Sequence, residues 1–534
     1  MFGIMACGEK PVVETVPLRP ELAGFRRQIT TKSAPAQKYF DQGFTLYYGF
    51  NHDAAIASFA QAAAFDPNCA MAYWGQAASW GPNINNPAMD DSASKRAWDA
   101  LQKAASFSAS AAPVERDLIA ALATRYAWPA PADRTGLDRA YADAMRQVWQ
   151  KYPEDPDVGA LCAEAIMDTR PWDLWSPTGE PRPETPEVIA TLDKVIALVP
   201  DHPGASHFYI HTMEASPTPE KALPAANVLR DRIPGAGHLV HMPAHIDIRL
   251  GHYDDALVAN QKGIAADATW AAQQGGFYTM YRAHNHHFLA YAAMFEGRRE
   301  VALQAASAML EQVPLAIVRQ YIDVLDGFWA APTHVQVRFG MWNELLAAPA
   351  PPADLLVATA FWHYGRTVAA AALGRVDEAA TELAAFQQAY AAVPGSRFIG
   401  NNAARTVLEI GLPVAEGELE YRRGNFDHAF ELLRLAVQRD DALRYDEPWG
   451  WTMPVRHSLG ALLLEQGRVD EAERVYREDL RLHPDNGWAL HGLAECLRRS
   501  GRAAEAADVE TRFRGAWTRS DIAIQGSCFC RTKS

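Results

Sequence analysis

Histidines are clustered in the middle of this 534-residue sequence, and their spacing indicates metal chemistry. Residues three or four apart lie on the same face of a helix, and the clusters repeat that spacing. Neutral imidazole is the commonest metal ligand among the side chains that titrate near neutral pH. The seven histidines with this spacing are His207 and His211, then His238, His241 and His245, then His284 and His287.

The elements that carry these clusters are predicted from a repeat in the C-terminal third. A small residue, an apolar residue, a glycine and an alanine recur in a fixed order, which is typical of two short helices joined by a turn. Pro484 closes the first unit, because proline cannot continue a helix. Leu459-Gly460, Leu463, Gly467-Arg468 and Glu471-Ala472 recur 34 residues later as Leu493-Ala494, Leu497, Gly501-Arg502 and Glu505-Ala506.

This pattern resembles the tetratricopeptide repeat, in which helices A and B of each unit stack into a right-handed superhelix. The resemblance covers most of residues 36–515 and implies an all-α, right-handed superhelical solenoid of such helix pairs. Signature positions are occupied by Gly43, Ala55, Phe59, Ala62 and Pro67 near the N-terminus, and weaker copies centre on Gly251/Ala256, Gly297/Ala302, Gly374/Ala379 and Gly424/Ala429.

The repeat register places the histidines on three successive A helices. With the turn glycine numbered 15, units start at Pro203, Gly237 and Ala283, and the histidines fall at positions 2, 5 and 9. In the tetratricopeptide family that face lines the concave groove, so the resemblance implies an open, groove-lining site. Neighbouring helices pack about 8–10 Å apart, which lets imidazoles from adjacent helices reach one ion.

Three carboxylates are expected on the same face. A unit starting at Pro156 places Glu164 and Asp168 beside His211 and His207, where they would act as catalytic proton acceptors. Glu214 follows His211 by three residues and is predicted to be a further metal ligand or a partner of a ligand.

Seven imidazoles exceed the three or four that one ion needs, so the site is predicted to hold two or more ions. Nitrogen-rich ligation favours copper, with zinc or iron as alternatives. The paired imidazole triads resemble the dinuclear copper arrangement of oxygen-activating oxidases in ligand count. We therefore predict a metal-dependent enzyme, an oxidoreductase in preference, with a small-molecule or peptide substrate in the groove. The alternatives are a zinc-dependent hydrolase and a non-catalytic scaffold for a protein partner, as most members of the repeat family are.

Composition excludes some other classes of function. The chain has 50 Lys+Arg against 64 Asp+Glu and a formal charge of −14, with no basic run, which argues against nucleic acid as a partner. No apolar stretch reaches the roughly 18 residues that a membrane-spanning helix requires. The six cysteines are scattered, so a disulfide framework is not expected, and Cys528 and Cys530 are interpreted as part of a loose end.

The predicted organisation has five parts. Ile4-Met5-Ala6-Cys7-Gly8 resembles the end of a bacterial lipoprotein signal, but only six residues precede Cys7. Either the first residue shown is internal to a longer export signal or the resemblance is accidental; a bacterial envelope location is slightly favoured over the cytoplasm. The parts are an N-terminal segment (1–35), N-terminal repeats (36–155), His-rich metal-site repeats (156–310), C-terminal repeats (311–520) and a flexible tail (521–534).

Overall fold

A computed structural model describes residues 16–269 and 277–531, and these residues fold into antiparallel helix pairs. The Cys7 motif lies outside the described residues. The N-terminal repeats contain α1 (Ala34–Tyr48), α2 (His52–Phe65), α3 (Ala70–Ser79), α4 (Asp91–Phe107), α5 (Pro113–Leu122) and α6 (Thr135–Lys151).

The His-rich repeats begin where the register predicts. Helices start at Pro156, Pro203 and Gly237, whereas the next A helix starts at Tyr278, five residues before the predicted Ala283. The helices are α7 (Pro156–Met167), α8 (Thr185–Leu198), α9 (Pro203–Met213), α10 (Leu223–Arg232), α11 (Gly237–His241), α12 (Pro243–Leu250), α13 (Tyr253–Ala268), α14 (Tyr278–Phe295) and α15 (Arg299–Gln312).

The C-terminal repeats continue the same pattern and include one short antiparallel hairpin, β1 (Phe398–Ile399) with β2 (Asn402–Ala403). The helices are α16 (Leu315–Gln320), α17 (Ile322–Leu325), α18 (Ala331–Arg338), α19 (Trp342–Ala347), α20 (Leu356–Ala372), α21 (Val376–Ala392), α22 (Ala404–Arg422), α23 (Phe426–Asp441), α24 (Val455–Glu465), α25 (Val469–Leu482), α26 (Gly487–Arg499) and α27 (Ala503–Ala516).

The small residues of the repeat allow the helices to cross closely. The ring of Tyr476 on α25 lies between Gly460 of α24 and Gly492 of α26, where an added Cβ would lie 2.5 and 2.2 Å from the ring. Any larger residue at either glycine would collide with the ring. The turn residue Gly467 has a φ of +71°, which is the left-handed conformation that favours glycine. The prediction of an all-α solenoid of tetratricopeptide-like helix pairs is confirmed.

The predicted open groove is wrong at the His-rich repeats, because other parts of the chain cover them. Tyr48 at the end of α1 packs edge-on against Phe208 of α9, with 6.0 Å between ring centroids. On the C-terminal side, the indole of Trp488 donates to the carbonyl of Met294 at 2.9 Å. The five histidines of α9, α11 and α12 are all buried as a result, with exposed fractions of 3% or less.

The segment 521–531 is packed rather than loose. The Ser527 hydroxyl donates to the carbonyl of His457 at 2.7 Å, and Arg531 pairs with Glu495 at 2.7 Å. Cys528 and Cys530 are buried and joined by a disulfide. The interpretation of these two cysteines as a loose end is therefore wrong.

Within residues 16–269 and 277–531, none of the helices combines the length and the apolar character needed to cross a membrane.

Candidate metal centre

Four helical segments, α9, α11, α12 and α14, present the clustered histidines to one another. Helix α9 carries His207 and His211, four residues apart. Helix α11 ends at His241, because Pro243 lacks an N–H and interrupts the backbone ladder before α12 begins. His245 on α12 nevertheless remains one turn beyond His241, and α14 brings His284 alongside.

The first group of ligand atoms comes from α9 and α11. One nitrogen each from His207, His211 and His238 lies within 4.8 Å of the others. The ring centroid of His207 is 4.8 Å from that of His211 and 4.9 Å from that of His238. All three side chains are buried, so water does not solvate these nitrogens. We call these three residues the first triad.

Hydrogen bonds fix the orientation of two rings in the first triad. The Nδ1 of His207 lies 2.7 Å from the carbonyl oxygen of Tyr48, so it carries the proton and donates. The Nδ1 of His211 donates to the carboxylate of Glu214 at 2.7 Å. In both neutral rings the Nε2 therefore bears a lone pair, and neither Nε2 has a hydrogen-bond partner among the described residues.

His238, the third member of the first triad, differs from the other two because no hydrogen bond within the described residues fixes its ring. Neither of its ring nitrogens has a hydrogen-bond partner in the part of the chain that the structure describes, although the residue is only 2% exposed. Leaving a buried polar group unpaired costs about 1–3 kcal/mol, so an imidazole with two such nitrogens requires a reason. A bound cation would supply one.

The second group comes from α11, α12 and α14. Nitrogens of His241, His245 and His284 lie within 4.8 Å of one another. His241 donates from Nδ1 to the side-chain oxygen of Asn260 at 2.7 Å, and the Asn260 amide in turn donates to the carbonyl of Ala256. We call the three histidines the second triad.

The two Nε2 atoms of His241 and His245 face each other at 2.7 Å. Both Nδ1 atoms act as donors, so both Nε2 atoms carry lone pairs when the rings are neutral. Two lone pairs at this distance repel unless a proton or a metal cation lies between them. A proton on His245 or a metal cation between the two nitrogens would remove this repulsion.

Glu214 joins the two triads. Its Oε1 accepts from His211, and its Oε2 accepts from the Nδ1 of His245 at 2.7 Å. The hydroxyl of Tyr445 donates to the same Oε2 at 3.0 Å. A carboxylate on the outer nitrogen of a metal-binding imidazole fixes the ring and raises its basicity. Here one carboxylate does so for a histidine of each triad.

The electrostatics keep most of these imidazoles neutral. Burial lowers the pKa of His207, His238, His241 and His284 well below the usual value, and nearby imidazoles lower it further. Burial also lowers the pKa of His211, although Glu214 opposes the shift. Neutral imidazoles are the form that binds metal.

His245 is the exception. Burial disfavours its charged form, but the carboxylates of Glu447 and Glu214 outweigh burial and raise its pKa to about 10. Burial and the charge of Glu214 in turn raise the pKa of Glu447 well above its usual range. Burial would raise the pKa of Glu214 too, but His245 and His211 hold it well below its usual value. The two imidazoles thus favour the ionised form of Glu214, whereas burial and the charge of Glu214 favour the protonated form of Glu447.

Aromatic rings surround the two triads. Phe50 packs against His207 with 4.6 Å between ring centroids, and Tyr281 packs against His238 at 4.5 Å. Trp172 stands edge-on to His211 at 5.4 Å. Such a lining lowers the local dielectric and strengthens the interaction between the imidazoles and any cation.

The structure brings six of the seven predicted histidines into the two triads and places His287 apart from them. His287 lies against Phe328, 5.2 Å between ring centroids, and lines a cavity of about 40 Å³ with His334 and Glu447. Burial lowers its pKa to about 4. Its role as a metal ligand stays a prediction.

The predicted proton acceptors have other partners. The carboxylate of Glu164 accepts from the hydroxyl of Tyr47 at 2.6 Å, and Asp168 pairs with Arg125 at 2.6 Å. Burial and the charge of Asp168 raise the pKa of Glu164 to about 8. The sequence predicts that Glu214 is a metal ligand or a partner of one. Its carboxylate accepts hydrogen bonds from the Nδ1 atoms of His211 and His245.

Sequence reasoning missed Asn260, Tyr445 and Glu447. Asn260 lies on helix B of the His-rich unit, and no spacing rule connects it to His241. Tyr445 and Glu447 lie between α23 and α24, about 200 residues after the triads, in a loop without a repeat register. Glu447, with His211 and Glu214, also forms a third set of ligand atoms within 4.8 Å of one another.

Comparisons with known proteins identify one family. Residues 463–509 match the family model for the tetratricopeptide repeat, which confirms the resemblance where the sequence repeat is clearest. No curated protein matches the sequence.

Several solved structures align along most of the chain at low similarity. Human IFIT1 in its dimer with m7Gppp-AAAA is 12% identical, over 93% of this chain and 92% of that one, with a TM-score of 0.32. Cut9, in the APC/C hetero-tetramer with Hcn1, is 14% identical over 91% and 74%, with a TM-score of 0.32. Yeast Tom70 is 14% identical over 90% and 91%, with a TM-score of 0.29. These TM-scores are too low to support an argument about the fold. The fold is therefore assigned from the helices described above and not from these alignments.

Proposed function

We propose that this chain is a metal-dependent oxidoreductase whose two histidine triads each hold one ion. The observation that carries the proposal is the set of inward imidazole nitrogens: the unpaired Nε2 atoms of His207 and His211 in the first triad, and in the second the facing Nε2 atoms of His241 and His245, between which a metal cation would replace the proton of His245. Such nitrogens suit copper, and copper supplies redox chemistry when bound. Zinc or iron would use the same ligands.

The surrounding residues would prepare the imidazoles for this role. Tyr48, Glu214 and Asn260 each accept from an outer nitrogen, which fixes the ring that points inwards. Glu447 lies beside His245, and burial and the charge of Glu214 raise its pKa, so we assign to it the transfer of a proton to a bound substrate. Glu164 and Asp168 stay as proposed proton acceptors, although their bonds go to Tyr47 and Arg125.

The substrate would be small. The cavity beside the second triad measures about 40 Å³ and is lined by His287, Glu447, Phe328 and Phe361. Because one water needs about 10–15 Å³ of such volume, the cavity has room for a molecule of a few heavy atoms or for part of a larger one. We therefore favour a small molecule over a peptide.

Metal analysis of the purified chain tests the proposal. Mass spectrometry of protein purified without added metal is expected to find two equivalents of one transition metal. The double substitution His241→Ala with His245→Ala should leave one equivalent, and His207→Ala with His211→Ala should also leave one. His457→Ala is the matched control and should keep both. Substoichiometric metal that none of these variants changes would refute the proposal.

Oxygen-uptake assays with candidate substrates then separate an oxidoreductase from a site that only binds metal. Uptake by the metal-loaded chain that disappears in both double variants supports catalysis. A loaded chain without uptake or turnover on any redox substrate argues against it.

A non-catalytic scaffold for a protein partner is the alternative, favoured by the tetratricopeptide match over residues 463–509. If this alternative holds, affinity for a protein partner should be the same in wild type and in the two double variants, since the triads would have no part in it.

A further inference from the structure

A second set of metal-ligating side chains lies outside the two triads, where the segment 526–531 crosses the A helices of the last repeats. Cys528 and Cys530 on this segment and Glu418 on α22 place one ligand atom each within 4.8 Å of the others. The exposed fraction is 8% for Cys528, 0% for Cys530 and 1% for Glu418. This cluster plays no part in the proposed function.

The carboxylate of Glu418 is buried beside two sulfur atoms, which is an unusual environment for a group that can carry a charge. Its Oε2 has no hydrogen-bond partner among the residues described, and the nearest guanidinium, that of Arg422, is 3.9 Å away. A buried carboxylate oxygen without a partner is costly, and the sulfur atoms beside it donate no strong hydrogen bond. The carboxylate thus lies beside two sulfurs, with the Arg422 guanidinium at 3.9 Å as its nearby positive charge.

The surroundings of Cys528 favour negative charge on its sulfur. The hydroxyl of Ser458 donates to Sγ at 3.5 Å, and the backbone N–H of Cys530 donates to the same atom at 3.1 Å. Donors directed at sulfur stabilise a thiolate over a thiol, and the thiolate is the form that binds metal. The segment is fixed in place by Ser527, whose hydroxyl bonds with that of Tyr476 at 2.6 Å.

We propose that Glu418, Cys528 and Cys530 form a cation site in the reduced protein, suited to a zinc-class divalent ion. Two thiolates and one carboxylate carry three negative charges, which a divalent ion and the Arg422 guanidinium balance. Arg422 is close, since it also donates to the carbonyl of Cys530. Three protein ligands leave one position of a tetrahedral ion for water.

Reduction of the disulfide precedes metal binding. The disulfide accepts two electrons and two protons to give two thiols. A phosphine reductant supplies the two electrons and becomes a phosphine oxide. Water supplies the two protons and the oxygen of that oxide. The cation then displaces both thiol protons as the two metal–sulfur bonds form. The disulfide and the metal site are thus alternative states of the same two cysteines.

Cobalt(II) titration of the full-length chain, reduced with a phosphine, tests the assignment. A sulfur-to-cobalt charge-transfer band should appear with one equivalent of cobalt, because the imidazole triads contain no sulfur and cannot produce it. The band should be absent without reductant and absent in the double variant Cys528→Ser with Cys530→Ser. Cys496→Ser, a substitution at another buried cysteine, is the matched control and should retain it.

Glu418→Gln provides the second readout, because the amide preserves volume and fold. Cobalt affinity measured from the band should fall by about tenfold or more. No band in the reduced wild-type chain, or a band that survives in the double variant, would overturn the proposal. An unchanged affinity in Glu418→Gln would overturn the three-ligand assignment.

Discussion

Buried histidines at the same repeat position behave differently in the His-rich and the C-terminal repeats. His241 and His457 both occupy position 5 of an A helix, and both are 0% exposed. The Nδ1 of His457 accepts from Arg338 at 3.0 Å, and its Nε2 donates to Asp479 at 2.9 Å, so protein groups satisfy both nitrogens. His241 has one nitrogen bound to Asn260 and the other directed at a second imidazole.

Burial and repeat register therefore do not by themselves identify a metal ligand. What distinguishes the two regions is the partner of the second ring nitrogen. A histidine between a cation and a carboxylate, such as His457, contributes to folding. A histidine whose inward nitrogen faces only other imidazoles, such as His241, is available to a metal. The following predictions test that distinction.

The largest effect is expected from Asp479→Ala. This change leaves His457 and Arg338 buried without their anion, and removing one partner of a buried pair costs about 3–5 kcal/mol. The free energy of unfolding from denaturant titration should fall by that amount while the metal content stays constant. Asp479→Asn, which keeps the volume, should cost less. A loss of metal in Asp479→Ala would remove the distinction between the two regions.

Glu214→Gln should weaken metal binding at both triads, because one carboxylate holds His211 and His245. Loss of such a partner typically costs 10–100-fold in affinity. Competition with a chelator of known affinity measures both sites. Asn260→Ala should weaken only the second triad, and Glu164→Gln should change neither. A Glu214→Gln chain with wild-type affinity at both sites would contradict the assigned role of the carboxylate.

Acid should destabilise the fold through His457. Burial, opposed by Asp479, lowers the pKa of this histidine from 6.5 to about 4. Between these values the unfolded chain binds a proton that the folded chain does not, so stability decreases as the pH falls through this window. In His457→Gln the slope of unfolding free energy against pH should be smaller by up to about 1.4 kcal/mol per pH unit. An identical slope in the variant would show that His457 does not titrate in this way.

Chelation should have the smallest structural effect. The helix pairs pack through contacts such as Tyr476 between Gly460 and Gly492, which involve no metal ligand. The helical circular-dichroism signal should therefore survive removal of metal from the triads. Complete unfolding on chelation would mean that the metal is structural and that the His-rich repeats do not hold themselves together.

Much of the fold and part of the site could be predicted from residue spacing. The register located the starts of α7, α9 and α11 and put six imidazoles on neighbouring helices, because a helical repeat fixes which residues share a face. It did not reveal Glu447 or Tyr445, since a loop has no register. It also could not show that the carbonyl of Tyr48 and the hydroxyl of Tyr445 reach the site, because contacts between distant repeats depend on the curvature of the whole solenoid.

The shared carboxylate of Glu214 makes the two triads interdependent. A cation that withdraws electron density from His211 would make its outer N–H more acidic and draw Glu214 closer, which would loosen the hold of Glu214 on His245. Thermodynamic reciprocity requires the second site to affect the first by the same factor. Loading of the pair should thus follow a shallower curve than two isolated sites, with the first ion acquired more readily than its companion.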